Sequence, residues 1–361
     1  MKKISWWRTS FGLNEIKRIT EAISSECISQ GPITAEFEHR ISKALGVPYV
    51  VTTTSGSMAI LISLIAAGVK AGDEVIVPNR TWIATAHAPL LLGAKVVLVD
   101  VEADRPILDV NQIEKKITKR TKAIIPVHLN GRAVDMEAVN RIASKYKLKV
   151  IEDAAQAFCS QNAAGFLGAQ SLAGCFSLSV AKIISTGQGG FVITRNKKTY
   201  ERLKLMRTHG VRDVINASYT QMGFNFRFTD IQASMGLAQL DSLAKRIEKV
   251  KEVYAKYETS MSEFNFLKFL PVDINKGEIP IYIEVLCRER SRLVNFLAKR
   301  GIQTRSFYPD LNTAPYLKSK GKFPHSKVFA EQGLFLPCGP AQPLENINRV
   351  LDALRKFKNY L

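Results

Sequence analysis

From Tyr49 onward the chain repeats one unit: a short β-branched run, a turn, then a longer amphipathic stretch. Candidate strands read at Tyr49 to Thr52, Glu74 to Pro78, Lys95 to Asp100, Lys122 to Val127, Lys149 to Glu152, Gly174 to Ser177 and Gly190 to Thr194. Helical spacing falls between them at Ser57 to Ala67, Thr81 to Leu92, Asp109 to Ile117, Asp135 to Tyr146, Lys197 to Met206 and Thr229 to Val253. Runs such as Val96-Val97-Leu98-Val99 and Ala123-Ile124-Ile125-Pro126-Val127 are apolar almost throughout. That suits strands covered on both faces, and so predicts an α/β domain with a mostly parallel seven-stranded sheet sandwiched by helices. After the long Thr229 to Val253 stretch the rhythm changes. A strand-like Ile279 to Leu286, a helix at Arg290 to Lys299 and a last helix at Pro343 to Lys358 suggest a smaller α+β domain. The expected division is residues 1–245, a large α/β domain with an N-terminal arm, and 246–361, the small domain. The cleft between them is the first place to look for a site.

A chain of 361 residues, 46% hydrophobic and 23% charged, can build such a core and is not a disordered or low-complexity sequence. The longest apolar run, Met58 to Val69, is too short for a membrane span and contains Ser63. Met1-Lys2-Lys3 is followed by Ser5, Arg8 and Ser10 rather than an apolar segment, so a soluble cytoplasmic protein is expected. The five cysteines, Cys27, Cys159, Cys175, Cys287 and Cys338, have no pairwise metal spacing and read as reduced thiols, with no metal site. The 51 basic residues exceed the 32 acidic ones by 19. They are spread along the chain and not gathered into a tail, which favours a solvated surface over a nucleic-acid-binding one.

In an open α/β sheet, ligands collect beyond the C-terminal ends of the strands. Four such places hold unusual residues. Thr54-Ser55-Gly56-Ser57-Met58 opens directly into an apolar helix, whose unpaired amides and dipole could receive a phosphate. Ordinary capping by Ser55 or Ser57 would explain the same residues. Glu152-Asp153-Ala154-Ala155-Gln156 places two acids at a strand end, either as a helix cap or as a carboxylate facing a cation. Lys182 stands alone among apolar and hydroxyl residues before Gly187-Gln188-Gly189-Gly190. Burial there would lower its pKa and make a nucleophilic amine. Trp82, in Asn79-Arg80-Thr81-Trp82, is either a core tryptophan or a flat surface for a planar ring.

A phosphate nest, an aromatic face, a strand-end Asp and a desolvated Lys are together what pyridoxal 5′-phosphate requires. In this order they resemble the DegT/DnrJ/StrS-type sugar aminotransferases of the fold type I pyridoxal-phosphate superfamily, over nearly the whole chain. Further stretches carry the likeness: Gly72-Asp73-Glu74-Val75-Ile76-Val77-Pro78, Pro126-Val127-His128-Leu129-Asn130-Gly131, Ser177 to Lys182, and Gly223-Phe224-Asn225-Phe226-Arg227-Phe228-Thr229-Asp230. The resemblance implies that Lys182 is the Schiff-base lysine and proton shuttle, and that Asp153 pairs with the pyridinium nitrogen. It places Trp82 on the ring and Gln156 near the phenolic oxygen. Ser55, Gly56, Ser57, the Ser57 and Met58 amides and Ser177 fall around the phosphate. Asn225 would reach that phosphate from a neighbouring subunit, in a homodimer with shared active sites. His209, Arg227 and Tyr308 become candidates for the substrate side.

The implied reaction moves the amino group of L-glutamate, through the pyridoxamine 5′-phosphate form, to the keto carbon of a nucleotide-linked keto-6-deoxy sugar. Its product is a deoxyamino sugar of the kind built into lipopolysaccharide O-antigen. The short Lys182-Ile183-Ile184-Ser185-Thr186-Gly187 loop resembles perosamine-synthase-like members and points to C4. Ala181, Leu178, His87 and Leu311 stand where relatives often have Asn, an aromatic, Asn and His, and Leu311 leaves the sugar open. A C3 keto-sugar or keto-cyclitol aminotransferase and a non-catalytic pyridoxal-phosphate-binding regulator are the alternatives. Arg80, Arg207, Arg212, Arg227 and Arg305 are available to meet a diphosphate.

Overall fold

The computed structural model describes residues 3–212, 215–219 and 221–359. Two helices precede the first strand: α1 (Leu13–Ser24) and α2 (Pro32–Leu45). The alternating part then runs β1 (Tyr49–Thr53), α3 (Gly56–Ala66), β2 (Glu74–Pro78), α4 (Ala84–Leu91), β3 (Lys95–Val99), β4 (Thr121–Ile124), α5 (Met136–Lys145) and β5 (Lys149–Asp153). A short hairpin, β6 (Gln161–Asn162) and β7 (Gly165–Phe166), leads to β8 (Ala173–Ser177), β9 (Gly190–Thr194) and α6 (Lys197–Arg207). The remaining elements are α7 (Asp230–Asp241), α8 (Leu243–Ser260), β10 (Leu267–Phe269), β11 (Ile283–Cys287), α9 (Arg290–Ala298), β12 (Arg305–Ser306), α10 (Pro324–Gln332), β13 (Gly333–Leu336) and α11 (Leu344–Lys358).

The large sheet has seven strands in the order β1-β9-β8-β5-β4-β2-β3. Only β9 runs against its neighbours; the pairings among β8, β5, β4, β2 and β3 are parallel. Two-sided burial explains the unbroken apolar runs. Along β2, Val75 and Val77 belong to the same apolar cluster as Ile60 and Leu64 of α3, while Ile76 between them belongs to the cluster that holds Val139 of α5 on the opposite face. Burying three such side chains contributes several kcal/mol, at about 1.5–3 kcal/mol each.

Two expected helices differ in the structure. The Asp109 to Ile117 stretch forms two 3-10 turns, because the Asp109 carboxylate accepts from the Asn111 amide at 3.1 Å and from Gln112 Nε2 at 2.7 Å. Such side-chain bonds favour a tight turn over a continuous helix. The long Thr229 to Val253 helix is broken at Ser242. There Ser242 Oγ accepts from Arg246 Nε at 2.8 Å, and the neighbouring Asp241 is gripped by Arg18 and Arg40 at 2.9 and 2.6 Å.

The second sheet is antiparallel, in the order β10-β11-β13-β12. Its core holds Tyr254, Tyr257, Val285, Leu293, Leu336, Leu354 and Phe357. The change from one core to the other occurs within α8, where Val250 belongs to the first and Val253 to the second. The expected boundary at 245/246 therefore falls inside this helix, within its first turn, and the change of core comes about two turns from its start. The N-terminal segment, expected with the large domain, reaches both: helix α1 lies against α7, while the residues before it pack on the small sheet. Ile4 bridges to Ile302 and Trp7 to Cys338, and both side chains are buried in the second core. Two large apolar side chains this early in the chain need cover, and the small sheet supplies it.

Candidate active site

A cavity of about 350 Å³ opens beyond the C-terminal ends of β5 and β8, walled on its far side by the second sheet. It brings together Ser55, Gly56, Ser57, Trp82, Asp153, Gln156, Ser177, Lys182 and Tyr308 from among the residues expected in the site.

Lys182 lies on an irregular loop after β8. The Leu178 amide donates to Gly189 O at 2.9 Å and the Thr186 amide to Leu178 O at 3.0 Å, which closes the loop and points its middle into the cavity. Gly189 has φ +146°, and a Cβ there would stand 2.6 Å from the Phe228 ring. Burial lowers the Lys182 amine from its ordinary 10.5 to about 8, with the positive charge of Arg305 acting in the same direction and Asp153 opposing. Among the described residues, Lys182 has no hydrogen-bond or ion-pair partner.

Asp153 ends β5. Its Oδ2 accepts from Thr85 Oγ1 at 2.7 Å and its Oδ1 from the Ala155 amide at 3.1 Å. Burial nevertheless raises its pKa, against those bonds and the more distant charges of Lys182 and His128. It is a carboxylate placed to gain from a cationic N–H. Gln156 is turned by the Asn130 amide, which donates to its Oε1 at 2.9 Å. Beneath them α3 starts at Gly56, capped by Ser55 Oγ accepting from the Met58 amide at 3.2 Å. A Cβ on Gly56 would stand 3.0 Å from Ser177 Cβ, and one on Gly190 would stand 2.5 Å from the Gly56 amide nitrogen. Glycine at both positions lets β8, β9 and the helix start converge, and Gly56, Ser57 and Ser177 line the cavity together.

At the mouth, Trp82 is half exposed and meets the Tyr308 ring edge-on at 5.7 Å. Tyr308 is held from behind by Arg80, whose Nη1 donates to Tyr308 O and Asp310 Oδ1, both at 2.9 Å. Burial pushes the Tyr308 hydroxyl up to about 12, so it stays a donor at neutral pH. The Arg305 guanidinium lies over Trp6 at 5.1 Å and over Trp82 at 6.0 Å. Of the five arginines considered from sequence, Arg305 alone lines the cavity; Arg80 and Arg207 are spent in buried ion pairs with Asp310 and Glu38.

Other expected residues stand elsewhere. Met58 does not line the cavity, and its amide is already engaged by Ser55. His209 and Asn225 are exposed, on the segment that includes Arg227. Arg227 Nε donates to Asn225 Oδ1 at 3.0 Å, so these two form a pair outside the cavity. Thr85, Tyr282, Trp6 and Phe335 line the cavity without having been singled out from sequence. Tyr282 and Phe335 sit in apolar runs that read only as core, and Thr85 carries no signal beyond its position three residues after Trp82.

These residues fit pyridoxal phosphate. An unpartnered, dehydrated amine, a buried carboxylate without a cation and a glycine-opened amide cradle would each meet one of its groups. The family model for the DegT/DnrJ/EryC1/StrS aminotransferase family matches residues 10–355. The chain belongs to this family. It is 31% identical over 367 residues to the GDP-perosamine synthase of Escherichia coli O157:H7, covering 99% of each chain. Among solved structures it is similar to DesV of S. venezuelae, at 29% identity and a TM-score of 0.93, covering 99% of both chains. DesI, solved in the presence of its TDP-sugar product, is 26% identical with a TM-score of 0.91, over 99% of this chain and 93% of that one. The fold is thus that of the fold type I aminotransferases, as the sequence led us to expect, and pyridoxal 5′-phosphate is the cofactor of this enzyme family.

Proposed function

We propose that the protein transfers the amino group of L-glutamate to the keto carbon, at C4, of a nucleotide-linked keto-6-deoxy sugar. The observation that carries this reading is the free Lys182 amine, lowered to about 8 and facing Asp153 in one cavity. When bound, the cofactor supplies an aldehyde for amine exchange and a ring that takes up the electron pair left by a departing proton. Lys182 would hold it through Nζ, and as a neutral amine the same Nζ would serve as the base that moves the proton. A basicity near working pH suits both directions of that transfer.

Asp153, oriented by Thr85 and the Ala155 amide, would pair with the ring nitrogen of the cofactor and favour its protonated form. Gly56, Ser57 and Ser177 would hold the phosphate at the positive end of α3. Trp82 would lie against the ring, and Gln156 would face its phenolic oxygen. Tyr308 meets the sugar, while Arg305 meets an anionic group, either a carboxylate of the donor or the sugar's diphosphate. The nucleotide-sugar chemistry named for the GDP-perosamine synthase and for DesI supports this substrate class.

A homodimer completes the site in this account, with Asn225 reaching the phosphate and His209 and Arg227 reaching the substrate across the interface. Leu13 and Ile16 on α1 and Tyr219 and Met222 on the 209–227 segment are exposed apolar side chains, 83%, 62%, 85% and 71% accessible, which supports burial by a second copy. The test supplies L-glutamate with GDP- and TDP-linked 4-keto-6-deoxy sugars and follows amino-sugar formation by mass spectrometry. Stoichiometric 2-oxoglutarate and an amine at C4 are expected. Amination at C3, or only of an unactivated keto-cyclitol, would replace the substrate assignment.

A further inference from the structure

Accepting Lys182 as the cofactor-bonding amine, the loop that carries it poses a physical problem. It belongs to no helix or strand, yet its lysine must be placed within a fraction of an ångström to move a proton. The two carbonyls immediately before Lys182 both receive side-chain donors from distant parts of the chain. Val180 O accepts from Thr9 Oγ1 at 2.7 Å and from Trp7 Nε1 at 3.0 Å. Ala181 O accepts from the Tyr282 hydroxyl at 2.8 Å.

We propose that Tyr282 is a positioning residue for Lys182, holding the Ala181 carbonyl while Trp7 and Thr9 hold the one before it. The reacting amine is thereby tied to the second sheet and the N-terminal segment.

Tyr282 is itself fixed on every side. Asn130 Oδ1 accepts from the amides of Ile281 and Tyr282 at 2.9 and 2.7 Å, and Asn130 Nδ2 donates to Tyr282 O at 3.0 Å. Asn130 is fully buried and takes φ +55°, a conformation its neighbours must enforce. Its own amide donates to Gln156. One bonded path therefore runs from Gln156 in the cavity wall, through Asn130 and Tyr282, to the residue before Lys182. The Tyr282 ring is wedged against Phe335 at 5.1 Å, Trp7 at 5.6 Å and Trp6 at 6.1 Å, so the hydroxyl has one direction available. Position 181 is alanine, which cannot anchor the loop by its side chain, and the backbone carbonyl takes that part.

The test is Tyr282→Phe, with Tyr257→Phe as control. Tyr257 is an equally buried tyrosine whose hydroxyl donates to Pro337 O at 3.1 Å, away from the loop. The first readout needs no cofactor: the pH dependence of Lys182 acylation in the apoprotein, followed by peptide mass mapping. With the loop loosened, the amine reaches water, and the midpoint of Tyr282→Phe moves upward by about half a pH unit or more. The second is the single-turnover rate with L-glutamate, expected to fall about tenfold while the KM for glutamate stays within about twofold, the signature of lost alignment. Tyr257→Phe should match the parent in both. Thr9→Val, which removes one of the two donors to the neighbouring carbonyl and leaves Trp7 Nε1, gives a smaller shift in the same direction and serves if Tyr282→Phe does not fold. A Tyr282→Phe midpoint and turnover equal to the parent's, or equal effects in Tyr257→Phe, would overturn the proposal. Lys182→Ala run alongside separates the two claims: a visible cofactor band that survives in it refutes the role of Lys182, and the apoprotein titration still reports on the tether.

Discussion

Replacing Lys182 with methionine keeps the length of the side chain and removes its charge, so the cost of holding the ammonium in the cavity becomes measurable as stability. The unfolded chain keeps the proton until its ordinary 10.5, while the folded protein releases it at about 8. Between those values the unfolded state binds more protons, so stability rises with pH across this window. Below about 8 the penalty is nearly complete. At about 1.36 kcal/mol per pH unit it reaches about 3 kcal/mol at pH 7, shrinks to about 1.4 kcal/mol at pH 9.5 and vanishes above 10.5. Lys182→Met should therefore stabilise the apoprotein at pH 7, and its advantage should fall by about 2 kcal/mol on going to pH 9.5. Any gain from the new apolar contacts does not vary with pH and drops out of the comparison. Urea unfolding of the two apoproteins at both pH values is the assay. An advantage that is the same at pH 7 and 9.5 would refute the desolvated amine on which the site is built.

Other substitutions test the remaining parts. Asp153→Asn keeps one acceptor oxygen for the Ala155 amide, turns an NH2 donor toward the Thr85 hydroxyl and loses the charge; the single-turnover rate with glutamate should fall by about two to three orders of magnitude while the protein stays folded, read by stopped-flow absorbance. Gly56→Ala puts a methyl 3.0 Å from Ser177 Cβ and should cost about 1–3 kcal/mol of stability together with weakened cofactor retention on dialysis. Arg305→Gln should raise the KM of one anionic substrate about tenfold, and separate half-reactions reveal which. The same change moves the Lys182 titration upward, since the lost positive charge helps hold the amine neutral.

How much of this was legible in the sequence follows from where each residue is buried. Strands covered on both faces betray themselves: Glu74 to Pro78 and Gly190 to Thr194 coincide with β2 and β9, because no exposed face interrupts their apolar runs. The cluster of Lys182, Asp153, Gln156 and Ser57 was readable because the sheet topology gathers strand ends. Helix α1 was not, since Leu13 and Ile16 are exposed while Glu15 is buried, the reverse of a core pattern. Helix α2 hides Phe37, Ile41 and Leu45 against α7, a contact that needs the fold to be seen; Gly236 permits it, as a Cβ there would stand 2.6 Å from Phe37. The short β10 and β12 carry too few residues for a period. Tyr282 and Arg305 enter the site only because the second sheet is folded back over the first, and no local spacing encodes that return. Arg80 was equally plausible as an anion ligand until its pairing with Asp310 and its position over the Phe307 ring, at 4.8 Å, assigned it to holding the Tyr308 loop.

The most direct test of the account is the absorbance spectrum of the protein reconstituted with pyridoxal phosphate, recorded before and after L-glutamate, in the parent and in Lys182→Ala. The account predicts a visible band that glutamate bleaches to the pyridoxamine form in the parent, and no protein-linked band in Lys182→Ala. A parent protein that forms no band, or forms one that no amino donor alters, would contradict it.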